Sequence, residues 1–332
     1  MRSLVTGAGG FLGQYLTEKL VARGENVRAF CRGRYDALDR LGVETVRGDL
    51  EDIDLLRKAC KGVDVVYHTA AISGIGEPWG RYWRTNTLGT ENLLDAAVGA
   101  GVGKFVYTSS PSVTFDGGDQ LGVDETVPYP RRWLAHYPHS KALAEERVLS
   151  MNPAWMLTCA LRPHLIWGPR DRALIPRLIA RARAGRLRRV GDGTNRVDMI
   201  YVENAADAHL QAADAMRDEK SPNVGRAYFL SQGEPVNCWE WIDEILVGLG
   251  MAPIDRSVSL STAMNVGRVC EWVWKLFRWK SDPPMTRFLA LQLAKNHYFD
   301  ISAAKRDFGY EPKISTEEGM RRLLAYFRET KV

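Results

Sequence analysis

Cysteine is scarce in this chain, with five in 332 residues, at positions 31, 60, 159, 238 and 270. Their number is odd and no two form a Cys-x-x-Cys pair. That excludes a disulfide scaffold, gives no zinc or other metal site, and implies reduced thiols in a cytoplasmic compartment. No uncharged run approaches the ~20 residues a membrane-spanning helix needs. A strand beginning at Met1 leaves no room for an apolar leader, so no secretion signal is expected. Internal repeats and low-complexity tracts are also missing. Neither sign of charge dominates: 45 Lys and Arg against 40 Asp and Glu leave a net +5. The basic residues are dispersed except between Arg177 and Arg189, so no nucleic-acid partner is expected.

What is present is a regular alternation of strand-like and helix-like segments through the first half. Arg2–Val5, Val27–Cys31, Glu44–Arg47, Val63–His68, Lys104–Thr108 and Met156–Leu161 read as buried strands, with helices centred near residues 17, 56, 92 and 144. Such alternation predicts an α/β fold with a Rossmann-type, doubly wound parallel sheet that binds its ligand across the carboxyl ends of the strands. After Trp167 the pattern becomes irregular and richer in Arg, Pro and Trp. We therefore expect a nucleotide-binding domain over 1–165 with returning segments in 196–232, where Val197–Val202 and Ala227–Leu230 look like strands. The remainder, 166–195 and 233–332, would form a smaller, mostly C-terminal substrate-binding cap.

The first strand runs directly into Thr6-Gly7-Ala8-Gly9-Gly10-Phe11-Leu12-Gly13, which opens an apolar-periodic helix. Glycines at 7, 10 and 13 remove Cβ atoms where a pyrophosphate would approach, and the helix N-terminus points N–H groups at it. The spacing is Gly-x-x-Gly-x-x-Gly rather than the commoner Gly-x-Gly-x-x-Gly. Thr6, Gly7, Gly10, Phe11, Leu12 and Gly13 are thus candidate cofactor contacts. An NAD-preferring site usually ends its second strand with Asp or Glu. Here Cys31 holds that place, followed by Arg32 and Arg34, whose guanidinium groups suit a 2′-phosphate. NADP(H) is the expected cofactor, with NAD(H) the alternative if both arginines are merely solvated.

Tyr137 and Lys141 lie four residues apart at the start of an Ala/Glu-rich helical stretch, so one turn places both on the same face. A phenol is a poor acid or base at neutral pH, and an adjacent ammonium would favour the phenolate. A surface pair is the bland alternative.

The glycine pattern, Asp49 in Arg47-Gly48-Asp49-Leu50, Thr69-Ala70-Ala71, Asn86, Thr108-Ser109-Ser110, the Tyr137/Lys141 pair and Leu161-Arg162-Pro163 occur in the order seen in extended short-chain dehydrogenases/reductases, which the chain resembles over nearly its whole length. Pro111-Ser112-Val113, Trp167-Gly168-Pro169, Val190-Gly191-Asp192-Gly193, Tyr201-Val202-Glu203-Asn204 and Pro283-Pro284-Met285-Thr286-Arg287-Phe288 make it similar to the 3β-hydroxysteroid dehydrogenase branch. That branch includes sterol C4-decarboxylating dehydrogenases and bacterial 2-alkyl-3-oxoalkanoate reductases. The resemblance implies that Ser110 hydrogen-bonds the substrate oxygen, Tyr137 exchanges a proton with it, and Lys141 lowers the tyrosine pKa and holds the nicotinamide ribose. Asn86 would support a water relay, Asp49 and Leu50 would contact adenine, and Pro163 would lie against the carboxamide. Thr69, Ala70 and Ala71 would line the dinucleotide. It also implies a homodimer joined through residues 79–101 and 137–151.

Residues after Ser109 are Ser110 and Pro111, without the Asp-Glu pair of a sugar 4,6-dehydratase, which disfavours elimination chemistry. His136, His139 and His164 flank the reaction centre and are expected to pack or be solvated. Arg196 could orient a substrate carboxylate, and Asp198 could make a structural pair. The Trp-rich segment 269–280 is amphipathic with interleaved cations: it would line a greasy pocket, pack as core, or lie at a membrane interface. A large apolar ketone fits such a cap better than a nucleotide sugar. NADPH suits reduction, so the expected reaction is reduction of a 2-alkyl-3-oxoalkanoate to the 3-hydroxy acid. The alternatives are an NAD(P)-dependent 3β-hydroxysteroid or sterol-4α-carboxylate dehydrogenase, and a catalytically silent nucleotide sensor on the same fold.

Overall fold

A computed structural model describes residues 1–151, 155–277, 279 and 282–330. Short runs rich in β-branched and aromatic residues form its centre: β1 (Arg2–Thr6), β2 (Asn26–Cys31), β3 (Glu44–Arg47), β4 (Val65–His68), β5 (Lys104–Thr108), β6 (Leu157–Pro163) and β7 (Arg226–Leu230). These make one sheet ordered β7-β6-β5-β4-β1-β2-β3. Every neighbouring pair is parallel, as strands buried on both faces and joined by helical crossovers must be. The crossovers include α1 (Phe11–Ala22), α2 (Ile53–Cys60), α3 (Gly89–Gly99) and α4 (His136–Ser150). Strand order reverses between β1 and β4, which opens a crevice at their carboxyl ends.

One face of the sheet buries Leu16, Tyr67, Val106, Leu161 and Phe229 in a single cluster. The other buries Leu4, Phe30, Val66, Phe105 and Tyr107. A third core gathers Trp167, Trp239, Trp241, Ile245 and Leu323 away from the sheet. At about 1.5–3 kcal/mol per buried large apolar side chain, it is substantial in its own right. Trp167 sits at its centre, edge-on to Tyr201 at 5.3 Å and Trp241 at 5.4 Å.

The anticipated strand Val197–Val202 is not one strand, and it does not return to the large sheet. Arg196–Val197 joins a separate four-stranded sheet with Gln120–Val123, Val236–Asn237 and His297–Phe299, while Ile200–Tyr201 pairs with Ile166–Trp167. Val202 begins helix α5 (Val202–Ala215), which packs on α1. Asp198 is fully buried at the break, where its carboxylate accepts from Phe299 N, between the two bridges. Residues 227–230 do reach the large sheet, as part of β7.

Candidate active site

Glycine is required where the first turn closes. Gly7 adopts φ 71°, and a Cβ there would stand 2.7 Å from Ala70 N; a Cβ on Gly13 would stand 2.2 Å from Gly7 O. The turn is pinned by Gly10 N donating to Gly7 O at 2.8 Å. Helix α1 has no side-chain cap and no acidic residue in its first turn. The N–H groups of Phe11, Leu12 and Gly13, which no helix can satisfy internally, are therefore available to an anion, and the donor set fits a pyrophosphate.

Beneath this cradle, Thr6 Oγ1 bonds His68 Nδ1 at 2.6 Å and His68 Nε2 bonds Thr90 Oγ1 at 2.9 Å. This buried chain ties β1, β4 and α3 together, and burial pushes His68 down to about 3, so the imidazole stays neutral. Thr69 Oγ1 donates to Thr6 O at 2.7 Å. Asp49 Oδ1 accepts from Glu51 N, and buried Leu50 packs against Gly89. Ala70 is half-buried and Ala71 exposed, just after β4. The two arginines after β2 differ. Arg34 is captured by Asp39 of the short helix Asp36–Arg40, at 2.8 Å. Arg32 is exposed and makes no hydrogen bond or ion pair among the described residues.

The reacting groups come from β5 and α4. Of the three hydroxyls ending β5, Thr108 is engaged by His209 at 2.8 Å and Ser109 is buried without a partner. Ser110 hydrogen-bonds the Tyr137 phenol, and its Oγ lies 2.9 Å from Ser112 Oγ as the cap of a 3-10 turn. Lys141, one turn beyond Tyr137, is 3% exposed; its Nζ donates to Thr108 O at 2.5 Å and lies 4.1 Å above the Tyr107 ring. Ser110, Tyr137 and Lys141 are thus brought together.

The electrostatics differ from the sequence expectation that the ammonium lowers the phenol. Burial pushes Tyr137 up, and the bond from Ser110 pulls against it. Burial also pushes Lys141 down to about 7, opposed by Glu145. Because burial leaves the Lys141 amine only partly charged near neutrality, its pull on the phenol is weak.

Glu145 was not singled out by sequence, though it stands one further turn along the same face. It is fully buried, bound bidentately by Arg162 with Nε at 3.0 Å and Nη2 at 2.5 Å, and accepts from Tyr129 at 2.6 Å. Asn86 lies in a π-helical stretch, Trp83–Leu88, a distortion common at functional sites. Its amide accepts from Ile72 N at 2.8 Å and donates to Ile72 O and Ser140 Oγ, each at 3.0 Å. It therefore braces α4 directly and makes no bond to Lys141. Pro163 ends β6 opposite Leu230. His164 follows, buried, bonding Asp198 O at 2.6 Å and held neutral by that burial. Leu165 takes φ 43°, a backbone strain on the order of 1–3 kcal/mol where the chain leaves the sheet. Arg196 is exposed and donates to Pro235 O, so it forms no part of this constellation.

A cavity of about 980 Å³ opens beside these groups. Leu134, Ala135 and His136, which lead into Tyr137, form one wall, and Trp79, Trp133, Trp274 and Trp279 supply the apolar surface. His139 is clamped between Trp79 at 4.6 Å and Trp133 at 4.9 Å, so it packs the wall. The Tyr82 ring meets Tyr137 at 6.3 Å. The Trp-rich segment divides: Trp274 and Trp279 face the cavity and Trp272 is 64% exposed, while Arg278 and Lys280 fall outside the described residues.

The family model described as 3-beta hydroxysteroid dehydrogenase/isomerase matches residues 4–261. A 2-alkyl-3-oxoalkanoate reductase of Stenotrophomonas maltophilia is 47% identical, covering 98% of this chain and 99% of that protein. One from Shewanella oneidensis is 45% identical, with 97% and 85% covered. A 3 beta-hydroxysteroid dehydrogenase/Delta 5-->4-isomerase of Mycobacterium tuberculosis is 36% identical, with 98% and 90% covered. Among solved structures, MoeE5 in complex with UDP-glucose and NAD aligns over 100% of both chains at 25% identity, TM-score 0.77. The parallel sheet accords with that structural likeness, and the chain belongs to the 3-beta hydroxysteroid dehydrogenase/isomerase family, as an NAD(P)-dependent oxidoreductase.

Proposed function

We propose that the protein reduces the ketone of a 2-alkyl-3-oxoalkanoate to the 3-hydroxy acid, using NADPH. The observation that carries this reading is the apolar, four-indole cavity beside the Ser110–Tyr137–Lys141 group. Such a volume, with four indoles on its wall, suits a large apolar ketone. Two relatives named 2-alkyl-3-oxoalkanoate reductase, at 47% and 45% identity, support the same substrate class.

A bound nicotinamide would supply the hydride. Ser110 donates a hydrogen bond to the substrate oxygen and fixes the carbonyl. Tyr137, protonated at neutral pH because burial raises it, passes its proton to that oxygen as negative charge develops there. Lys141, tied to Thr108 O, would hold the nicotinamide ribose. The preference for the 2′-phosphorylated cofactor rests on Arg32, which is unengaged, and on Cys31 standing where a carboxylate would repel phosphate. The support is narrower than the sequence suggested, because Asp39 already holds Arg34.

Steady-state kinetics with NADPH and NADH on long-chain 2-alkyl-β-keto acids, with 3-oxosteroids in parallel, tests both parts. We expect turnover of the β-keto acids and a kcat/KM advantage for NADPH that Arg32→Ala removes. Activity confined to steroids sinks the substrate assignment, and an NADH preference sinks the cofactor assignment.

A further inference from the structure

Helix α6 (Leu260–Phe277) is held by one face only. Its buried stripe is Ala263 and Gly267, and a Cβ on Gly267 would stand 2.6 Å from the Thr286 carbonyl carbon. Glu271, on the same side, binds Arg287 at 2.8 Å and so pins the helix to α7 (Arg287–Ala294). The opposite face is apolar too. Val266, Val269, Trp272 and Leu276 recur at helical spacing and are 47, 61, 64 and 57% exposed; Phe277 and Trp279 continue the ridge at 60 and 49%. Half of the exposed large apolar side chains among the described residues fall in this one stretch.

We propose that this ridge docks the protein onto an anionic lipid surface, with α6 lying in the headgroup plane. Charge selects that partner. Arg268 and Lys275 are exposed beside the stripe. The one acidic residue of the helix is already spent on Arg287. Trp and Phe interleaved with Lys and Arg match the boundary between acyl chains and phosphates, where indoles settle and cationic stems reach outward. A self-association face would instead concentrate apolar groups and exclude lysine from its centre. No helix among the described residues is long and apolar enough to cross a bilayer, so the contact is peripheral.

Position gives the docking a purpose that rests on the reductase reading. Trp274 and Trp279, on the same stretch, line the cavity, which makes the ridge its rim. A ketone with long alkyl chains, dissolved in the bilayer, would then reach the cavity without crossing water.

The test is flotation of the purified full-length protein with vesicles of phosphatidylcholine alone or containing one part in four phosphatidylglycerol, alongside a Trp272→Glu/Leu276→Glu variant. Neither substituted residue lines the cavity. We expect at least about ten-fold stronger binding to the anionic vesicles, weakened by salt, and loss of that binding in the variant. Melting temperature and turnover of a short, water-soluble β-keto acid should be unchanged. Three outcomes each overturn the proposal: no vesicle binding, equal binding by the variant, or a change in sedimenting mass of the variant that identifies the ridge as an interface between two copies. Because flotation needs no substrate, docking without ketone turnover would leave the membrane contact standing and defeat the reductase reading alone.

Discussion

Replacing Arg162 with Met exposes how strongly the reaction centre depends on one buried ion pair. Arg162 is 4% exposed and Glu145 fully buried, with a fork of guanidinium N–H groups on the carboxylate. Removing the cation leaves Glu145, among the described residues, with only the Tyr129 hydroxyl as a hydrogen-bond partner. An orphaned buried charge costs about 3–5 kcal/mol, whereas an exposed pair such as Arg34–Asp39 is screened by solvent and contributes little. The melting temperature should fall by on the order of 10 °C for Arg162→Met and by about 2 °C or less for Arg34→Ala. Adding Glu145→Gln removes the stranded charge while an amide oxygen still accepts from Tyr129, so Arg162→Met/Glu145→Gln should recover more than half of the loss. Thermal melts of the parent protein, Arg162→Met, Glu145→Gln and the double variant complete the cycle. A fall within about 2 °C for Arg162→Met, or a double variant less stable than the single, refutes the reasoning, because either means that the carboxylate is solvated or does not need its cation.

Tyr137→Phe should lower kcat by about 10²–10⁴-fold, the usual share of a general acid, while fluorescence titration shows dinucleotide affinity nearly intact. Gly13→Ala places a Cβ 2.2 Å from Gly7 O and should abolish that affinity without unfolding the sheet, as followed by the same titration and by circular dichroism. Stability should fall with acid. His68 and His209 are pushed down by burial to about 3 and about 4, so below pH 6.5 the unfolded chain takes up protons that the folded protein refuses. Their contribution is complete above about pH 6.5 and is lost as pH drops. Each loses about 2 kcal/mol by pH 5, giving a total of about 4 kcal/mol relative to pH 8, and a urea midpoint that is unchanged between those values would contradict it.

The sheet was legible because its strands carry a local signature. Buried runs such as Ser3-Leu4-Val5 and Val65-Val66-Tyr67, closed by Gly or Thr, need no distant information. The glycine turn was legible for the same reason, since its spacing and its strand-to-helix setting lie within one short stretch. Long-range pairing was not. The Thr6–His68–Thr90 chain joins residues 62 and 22 positions apart, and nothing near His68 announces it. Asp198 shows why the 197–202 reading failed: the largely apolar run looked like one strand, but the buried carboxyl turns to a backbone N–H 101 residues away. Arg34 and Asp39 were both visible, yet their pairing depends on the short helix Asp36–Arg40, which the weak local pattern did not reveal. Glu145 illustrates a signal that was present and passed over, since a third polar residue on the Tyr137/Lys141 face is itself a helical periodicity.

The directions of the two central pKa shifts bear on which way a proton is poised to move. In water a lysine ammonium, near 10.4, and a tyrosine phenol, near 10, hold their protons almost equally. Burial separates them, because it disfavours whichever form is charged: Tyr137 rises as a neutral phenol, and Lys141 falls to about 7 as a neutral amine. The proton therefore rests on the phenol at neutral pH, next to Ser110, where the oxygen of a bound ketone would lie. Glu145 limits the separation by holding Lys141 up, and Arg162 in turn satisfies Glu145. The chain from Arg162 through Glu145 to Lys141 thus sets how much of the amine is charged near neutrality, while Ser110 alone pulls Tyr137 back toward its ordinary range. A site arranged in this way starts as a loaded acid, which is the form that ketone reduction consumes.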